Sequence, residues 1–308
     1  MSFLILAGLA LVFVVWLLAR PWLVRRRRAA VCQRPFPHAW RAILQRRVPQ
    51  FARLPADLQL QLKQHIQVFL AEKPLLGCGG LAITDDIRVT ITAQACLLLL
   101  NRQPTSYFPG LRQILVYPGP FVVNRVRSDG AGVLQDMRQV LSGESWSQGQ
   151  VVLSWDDVLE GAADPADGRN VVIHEFAHQL DQETGTANGA PELRSRAAYS
   201  SWSQVLGEEF ALLQRRAEAG QESVLSHYGA TDPAEFFAVA SEAFFELPQR
   251  LSQEHPALYG ELRRFYGVDP LGWHDNRISS LKPCHCGPDP QSMDAPGSES
   301  GAGSSSPA

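Results

Sequence analysis

The chain of 308 residues is long enough for one large domain or two modest ones, and with 45% apolar and 19% charged residues its composition is that of an ordinary globular protein. Positions 1–50 hold nine arginines and no acidic residue, so the rest of the chain has 19 basic and 31 acidic side chains, a net charge of −12 that argues against direct nucleic acid binding. Five scattered cysteines are unlike a disulfide framework and favour a reducing compartment.

The chain begins with an unbroken apolar segment at residues 3–19, which extends to residue 24 if Arg20 snorkels. About 20 residues cross a bilayer, so the segment is just long enough. Four arginines at positions 25–28 follow it and nothing basic precedes it, the reverse of a secretory leader. The positive-inside rule predicts a single-pass membrane anchor with the body in the cytoplasm. The alternatives are a buried helix or a cleaved leader, and without an anchor the protein would be a soluble cytoplasmic one.

The remaining chain is predicted to divide into three parts after an anchor over residues 1–28. Residues 29–54, rich in Arg and Pro, predict a linker with one short helix, and residues 55–280 predict a folded domain. Residues 281–308 are polar and predict a disordered tail. Cys284-His285-Cys286 in this tail offers too few ligands for a closed tetrahedral site, so only adventitious metal binding is expected there.

The first half of the body shows both helical and strand patterns. Apolar spacing predicts a helix over 57–71, whereas alternation of Ile87, Val89 and Ile91 predicts a strand over 81–92, followed by a helix over 93–100. Two further strands are expected, at 113–123 and 149–155. Pro118-Gly119-Pro120 interrupts the first of them, which predicts a bulge or a sheet edge.

After residue 155 the sequence turns helical. Helices are predicted over 170–182, 192–218, 233–247 and 255–266. Together with the earlier strands they predict an α+β fold with a small sheet.

The motif His174-Glu175-Phe-Ala-His178 lies on the first of these helices. His174 and His178 project from one helix face one turn apart, so both imidazoles reach a single metal ion. Glu175 lies beside that face, where it accepts a proton from water without binding the metal, as this Glu does in zinc hydrolases. Asn170 makes a good N-cap for the helix. The alternative is a helix at the edge of the core that carries two solvated histidines.

A catalytic zinc site needs a third protein ligand beside the two histidines. The metzincin pattern would place a third His at position 184, which is Thr, so that class is excluded. The remaining common ligand is a Glu from a later helix, and the helix from Pro233 offers Glu235, Glu242 and Glu246. Glu235 and Glu242 share a face. Glu235 also fits a capping box after Asp232, so spacing alone leaves open whether it is a ligand or a cap.

A family resemblance lies in two motifs. They are His174-Glu-Phe-Ala-His-Gln-Leu-Asp181 and Tyr228-Gly-Ala-Thr-Asp-Pro-Ala-Glu235-Phe-Phe-Ala-Val-Ala-Ser-Glu242. Both are similar to motifs of the Mlc titration factor A family of bacterial zinc peptidases, as are the segments at 116–123 and 153–155, and the likeness covers residues 35–275. That family resembles the catalytic domain of anthrax lethal factor in fold, so the resemblance implies a zincin-like metallopeptidase domain.

The resemblance also implies roles for individual residues. His174, His178 and Glu235 would bind one zinc ion per chain, Glu175 would be the general base, and Tyr228 would lie next to the open coordination position. Glu242 would orient a ligand or pack the helix. The chain departs from the family in its predicted membrane segment, because the members that it resembles are soluble and cytosolic.

The implied reaction is hydrolysis of peptide bonds, with aminopeptidase-like activity on short peptides. Zinc in such enzymes lowers the pKa of water and polarises the scissile carbonyl, while a Glu such as Glu175 carries the water proton to the leaving amine. Tyr228 would donate a hydrogen bond to the oxyanion, the alternative being an ordinary half-buried aromatic residue. The strand at 150–155 is predicted to align the substrate by edge pairing.

Two other functions are compatible with the sequence. The family is named for sequestering the repressor Mlc, so the body could bind a transcriptional repressor of that type with peptidase activity secondary. Such a binding protein does not need Glu175, and the presence of Glu175 together with both histidines and the Tyr228–Glu235 pair favours an enzyme. A structural zinc without turnover is disfavoured, because this ligand set leaves a coordination position open.

Overall fold

The computed structural model describes residues 2–102, 106–128, 134–141, 143–146 and 149–273. Helices make up most of the described chain. In order they are α1 (Ser2–Cys32), α2 (His38–Arg47), α3 (Pro49–Arg53), α4 (Ala56–Glu72), α5 (Asp85–Leu97), α6 (Trp155–Ala163), α7 (Val171–Asp181), α8 (Arg196–Glu218), α9 (Pro233–Glu246), α10 (Pro248–Glu254) and α11 (Pro256–Tyr266). The predicted tail and Cys284-His285-Cys286 lie outside the described residues.

The strands form two small sheets. They are β1 (Leu75–Gly77), β2 (Gln113–Tyr117), β3 (Phe121–Ser128), β4 (Leu134–Leu141), β5 (Gly143–Trp146) and β6 (Gln150–Ser154). The main sheet has the order β1-β2-β6-β5, in which β1, β2 and β6 are parallel and β5 is antiparallel to β6. β3 and β4 pair with each other as an antiparallel hairpin. A small sheet among many helices is the arrangement that the sequence predicted.

One side of helix α7 packs in the hydrophobic core, and its other side carries the two histidines of the predicted motif. The side chains of Val172, Ile173 and Phe176 on α7 are fully buried. The Phe176 ring lies 4.8 Å from that of Phe108 and 5.9 Å from that of Phe69, measured between ring centroids. Aromatic contacts of this kind bury large apolar areas and restrict movement of the helix that carries them.

Residues 85–97 form the single helix α5, so the strand predicted over 81–92 is wrong, and the helix predicted over 93–100 begins earlier and ends at Leu97. α5 begins after Thr84, whose hydroxyl accepts a hydrogen bond from the Ile87 amide, and it runs to Leu97. Every residue of α5 from Ile87 onward except Arg88 is buried, because the helix packs against α2, α4 and α7. A helix covered on all sides loses the 3.6-residue apolar period, and its β-branched residues then imitate a strand.

The strand predictions after α5 need three corrections. The segment 113–123 is two strands, since β2 ends at Tyr117 and Pro118 begins the turn to β3. β2 also lies inside the sheet between β1 and β6, so it is not an edge strand. β6 is confirmed as a strand, but it pairs with β2 on one side and β5 on the other, so the prediction that it aligns a substrate by edge pairing is wrong.

The segment 29–54 contains more structure than the single short helix predicted there. α1 continues to Cys32, and α2 and α3 follow. Leu44 and Leu54 are fully buried in the same core as α4 and α7, so a boundary after residue 54 would divide one core. The outer domain limits remain predictions.

The later helices follow the sequence closely. α7 and α9 begin at their predicted caps, whereas α8 begins at Arg196, four residues later than predicted. The separate helix α10 was not predicted. Proline begins both α10 and α11, and only the second of these two helices was predicted.

Helix α1 is long and apolar enough to cross a membrane, by length and composition only. None of the described side chains in its most apolar stretch is buried, unlike those of a core helix, and Phe3 is 81% exposed. The buried-helix alternative is therefore not supported by the structure. A leader segment at the N-terminus would pass the same test.

Candidate metal centre

Helix α7 presents two histidines toward one point. Asn170 caps the helix by accepting a hydrogen bond from the Ile173 amide, 3.0 Å from its Oδ1, as predicted. His174 and His178 lie one turn apart, and their ring centroids are 4.9 Å from each other. The core fixes the opposite side of α7, so the two imidazoles are held in place relative to each other.

Helix α9 brings a carboxylate to the same point. Glu235 Oε2 lies 3.0 Å from His174 Nε2 and 3.4 Å from His178 Nε2. One donor atom from each of these three residues lies within 4.8 Å of the others, close enough for a single ion. The N-terminus of α9 is capped by Asp232, whose Oδ1 accepts hydrogen bonds from the Ala234 and Glu235 amides.

Glu242 contacts the other side of the His174 ring. Its Oε1 accepts a hydrogen bond from His174 Nδ1 at 2.7 Å, and its Oε2 accepts one from the Asn170 amide at 2.6 Å. With Nδ1 occupied in this way, Nε2 of His174 is directed at Glu235 and His178. A carboxylate behind a histidine is the usual device that orients a metal-binding imidazole.

The charges at this point favour a cation. Burial lowers the pKa of His174, but the hydrogen bonds to Glu235 and Glu242 outweigh burial and raise this pKa well above its usual value. Burial raises the pKa of Glu235, but the hydrogen bonds from His174 and His178 outweigh it and hold this pKa well below its usual range. Two imidazole nitrogens and one carboxylate oxygen are a donor set that suits zinc.

A buried polar network lies behind the histidines. The Asn170 side-chain amide donates to Gln94 Oε1 at 2.7 Å and to Glu246 Oε1 at 2.9 Å. Burial is the main cause that raises the pKa of Glu246 to about 8, so this carboxyl is mostly protonated at neutral pH. Neither Gln94 nor Glu246 was predicted from the sequence to contact the Asn170 side chain. Glu246 is one turn after Glu242, a spacing that could have revealed it, but Gln94 lies on the misassigned helix α5.

The loop between α7 and α8 packs against the start of α9. The fully buried Asp181 accepts a hydrogen bond from the Gly189 amide at 2.7 Å, and Trp202 Nε1 donates to the Gly189 carbonyl at 2.8 Å. Gly189 has a φ of +75°, and a Cβ atom there would lie 2.3 Å from the carbonyl oxygen of Pro233. The loop therefore packs directly on the turn that carries Glu235.

We expect Gly189→Ala to lower the free energy of unfolding by at least about 2 kcal/mol, because the new methyl group meets backbone atoms in a left-handed conformation. Pushing Pro233 away also moves Glu235, so metal affinity should fall as well. The matched control is Gly220→Ala, since Gly220 has a φ of +62° with nothing within 4 Å of a new Cβ. It should cost about 1 kcal/mol and leave metal affinity unchanged. Urea denaturation and metal titration measure both quantities, and equal effects of the two variants would contradict the expectation.

The two remaining residues predicted for the site also lie near the histidines. Glu175 is on α7 beside His174 and is 5% exposed. Tyr228 lies on the 3₁₀ turn His227–Ala230 that packs on α9, with its ring centroid 5.9 Å from that of His174. Tyr228 is 52% exposed and lies outside the buried core.

The family model of the glucose-regulated metallo-peptidase M90 matches residues 22–267. The chain therefore belongs to this family of metallopeptidases. The protein named Mlc titration factor A of Klebsiella pneumoniae is 37% identical over 73% of this chain and 84% of its own length. The protein of the same name from Pectobacterium atrosepticum is 34% identical over 77% of this chain and 90% of its own. A Synechocystis protein without an assigned function is 41% identical over 80% and 89%. The predicted resemblance to the Mlc titration factor A family is confirmed.

Proposed function

We propose that the protein is a zinc-dependent peptidase with a zincin-like domain, in which His174, His178 and Glu235 hold one zinc ion per chain. The observation that supports this proposal is the convergence of three donor atoms from two helices within 4.8 Å. Two imidazoles and one carboxylate form the His₂Glu set of many catalytic zinc sites, which keep a position open for water or substrate. The buried Glu242 accepts a hydrogen bond from His174 Nδ1 and so orients this imidazole, as carboxylates commonly do in zinc sites.

A bound zinc ion would supply a Lewis acid that polarises a carbonyl group and lowers the pKa of water. The protein's own residues carry the protons. Glu175, buried beside the histidines, accepts a proton from the attacking water and donates it to the leaving amine. Tyr228, with its ring 5.9 Å from that of His174, donates a hydrogen bond from its hydroxyl to the oxyanion that develops on the substrate.

A peptide substrate would be aligned by the outer strand of the main sheet. Within the described residues β5 pairs with β6 on one side only, and it packs against α7. An extended peptide that adds to such an edge gains main-chain hydrogen bonds along the helix that carries the histidines. β5 therefore takes the aligning role that the sequence analysis gave to β6. Aminopeptidase-like cleavage of short peptides is proposed from the family resemblance.

Removal of the metal tests the proposal directly. We expect a chelator to reduce hydrolysis of peptide anilides by the full-length protein by at least about 10²-fold, because a Lewis acid contributes several kcal/mol to such a reaction. One equivalent of zinc should restore the rate, whereas calcium, which prefers all-oxygen ligands, should not. Hydrolysis that resists complete removal of metal would contradict the proposal.

A second candidate function is binding of a transcriptional repressor. Its support is the name Mlc titration factor A carried by relatives that match most of this chain. We propose this as the alternative in which the body binds a repressor of the Mlc type and peptidase activity is secondary. A protein that binds the purified repressor equally well with and without Glu175, and that hydrolyses no peptide, would favour it.

We propose that α1 is a single-pass anchor in a bacterial inner membrane with the body in the cytoplasm. Its support is an apolar helix with mostly exposed side chains, followed by exposed arginines at positions 25–27. We expect the full-length protein to sediment with membranes, to resist extraction by salt and to be released by detergent. Protease added outside spheroplasts should leave the body intact. Digestion of the body by protease added outside would contradict the proposed cytoplasmic location of the body.

A further inference from the structure

One arginine of the basic run after the apolar segment differs from its neighbours. The side chains at positions 25–27 are exposed, whereas Arg28 turns toward the body. Its Nε and Nη2 atoms donate to the two carboxylate oxygens of Glu72 at 2.7 and 2.8 Å. The same guanidinium lies 4.5 Å from the centroid of the Tyr107 ring. A bidentate ion pair stacked on an aromatic ring holds the arginine in one orientation.

The contacts continue beyond Arg28 along the helix. Val31 and Cys32 pack on the hydrophobic core, and α1 packs against α4. After the helix ends, the carbonyl of Arg34 accepts a hydrogen bond from Gln67 Nε2 at 3.0 Å. The helix thus passes from its apolar segment into the body without a break, and no flexible linker separates them within the described residues.

The order of these contacts gives the orientation of the body. Arg28 contacts Glu72 and Arg34 contacts Gln67, so α1 and α4 run in opposite directions. The C-terminal end of α4 therefore points back toward the apolar segment. At a rise of 1.5 Å per residue, Arg28 lies only about 6 Å along the helix from residue 24, where that segment ends.

We propose that the apolar helix and the body form one rigid unit, joined by Arg28, Glu72 and Tyr107, in which the C-terminal end of α4 lies against the headgroups of a lipid bilayer. The proposal rests on the anchor proposed above and is independent of the peptidase activity. The exposed arginines at positions 25–27 fit anionic headgroups. β1 follows α4 directly, so it lies on the membrane side of the sheet. β5, which packs against the metal-binding helix α7, is the other edge strand, about 14 Å away across the sheet, so this contact leaves the metal centre accessible from the cytoplasm.

The rigid connection between α1 and the body is tested by hydrogen exchange of the full-length protein in vesicles of phosphatidylcholine and phosphatidylglycerol. We expect slow exchange of the amides at 25–34, and exchange at least about tenfold faster in Glu72→Arg, because the ion pair becomes a repulsion. The double variant Arg28→Glu with Glu72→Arg should restore slow exchange. The control Arg46→Gln, which removes a surface ion pair between Arg46 on α2 and Asp86 on α5, should change nothing at 25–34. Fast exchange at 25–34 in the wild-type protein would overturn the proposal.

The orientation is tested with spin labels at two exposed positions of α4, Ala71 and Leu60, in a variant whose native cysteines are serine. The two positions are about 17 Å apart along the helix. A nickel-chelating headgroup lipid should enhance relaxation strongly at position 71 and weakly at position 60. Equal enhancement would overturn the proposed contact. A wild-type protein that does not sediment with the vesicles would instead overturn the anchor, while chelator-sensitive peptide hydrolysis would be unaffected by either result.

Discussion

Glu175→Gln should reduce peptide hydrolysis by at least about 10²-fold while one zinc ion per chain remains bound. The amide is nearly the same size as the carboxylate but cannot accept the proton of the attacking water. Glu175 is not among the three donor residues that converge, so the metal should stay. Rates with a peptide anilide and elemental analysis of the same samples measure both effects.

A matched control for Glu175→Gln is Glu160→Gln, which makes the same chemical change at an exposed position on α6. It should leave the rate and the zinc content at wild-type values. A Glu175→Gln protein that hydrolyses peptides at the wild-type rate with its zinc intact would exclude the proposed general base. Loss of zinc from that variant would place Glu175 among the ligands.

Glu235→Gln should abolish tight zinc binding, as His174→Ala and His178→Ala should, because a neutral amide is a poor substitute for a carboxylate on a divalent cation. If Glu235 were only a helix cap, the same change would cost well under about 1 kcal/mol of stability and zinc would stay bound. The structure provides a separate cap in Asp232. Zinc per chain, measured by elemental analysis after dialysis, distinguishes the two cases.

Glu242→Gln is the companion experiment to Glu235→Gln. Glu242 touches the Nδ1 side of His174 and not the point where the three donors meet, so its loss should weaken zinc binding only about 10- to 100-fold. Zinc retained by the Glu235 variant and lost from the Glu242 variant would show that Glu242 is the ligand and Glu235 is not.

The helices that carry the site were predictable from local sequence. Asn170 before α7, and Asp232 with Pro233 before α9, are capping residues whose effect reaches only a few positions along the chain. The spacing of His174 and His178 depends only on the helical period. Such features hold wherever the helix forms, so the structure agrees with them.

Helix α5 shows where local reading fails. Its residues alternate like a strand, and only the packing of α2, α4 and α7 around it makes a fully buried helix the better solution. Thr84 followed by Asp85 and Asp86 is a local signal for a helix start that the strand prediction did not use. Gln94, which holds the capping residue Asn170, was missed for the same reason.

The sequence by itself determined the pair of histidines with Glu175 between them and the apolar N-terminal helix, because each depends on residues close together in the chain. Its two motifs at 174–181 and 228–242 together determined the family. Spacing left the choice between Glu235 and Glu242 open, and the family resemblance implied Glu235. Only the tertiary structure shows that Glu235, 61 positions from His174, meets both histidines, since spacing on α9 cannot place that helix against α7. It also decided that Arg28 belongs to the body, through a partner 44 positions away. Contacts between distant segments depend on how whole helices pack, and a local pattern does not contain that information.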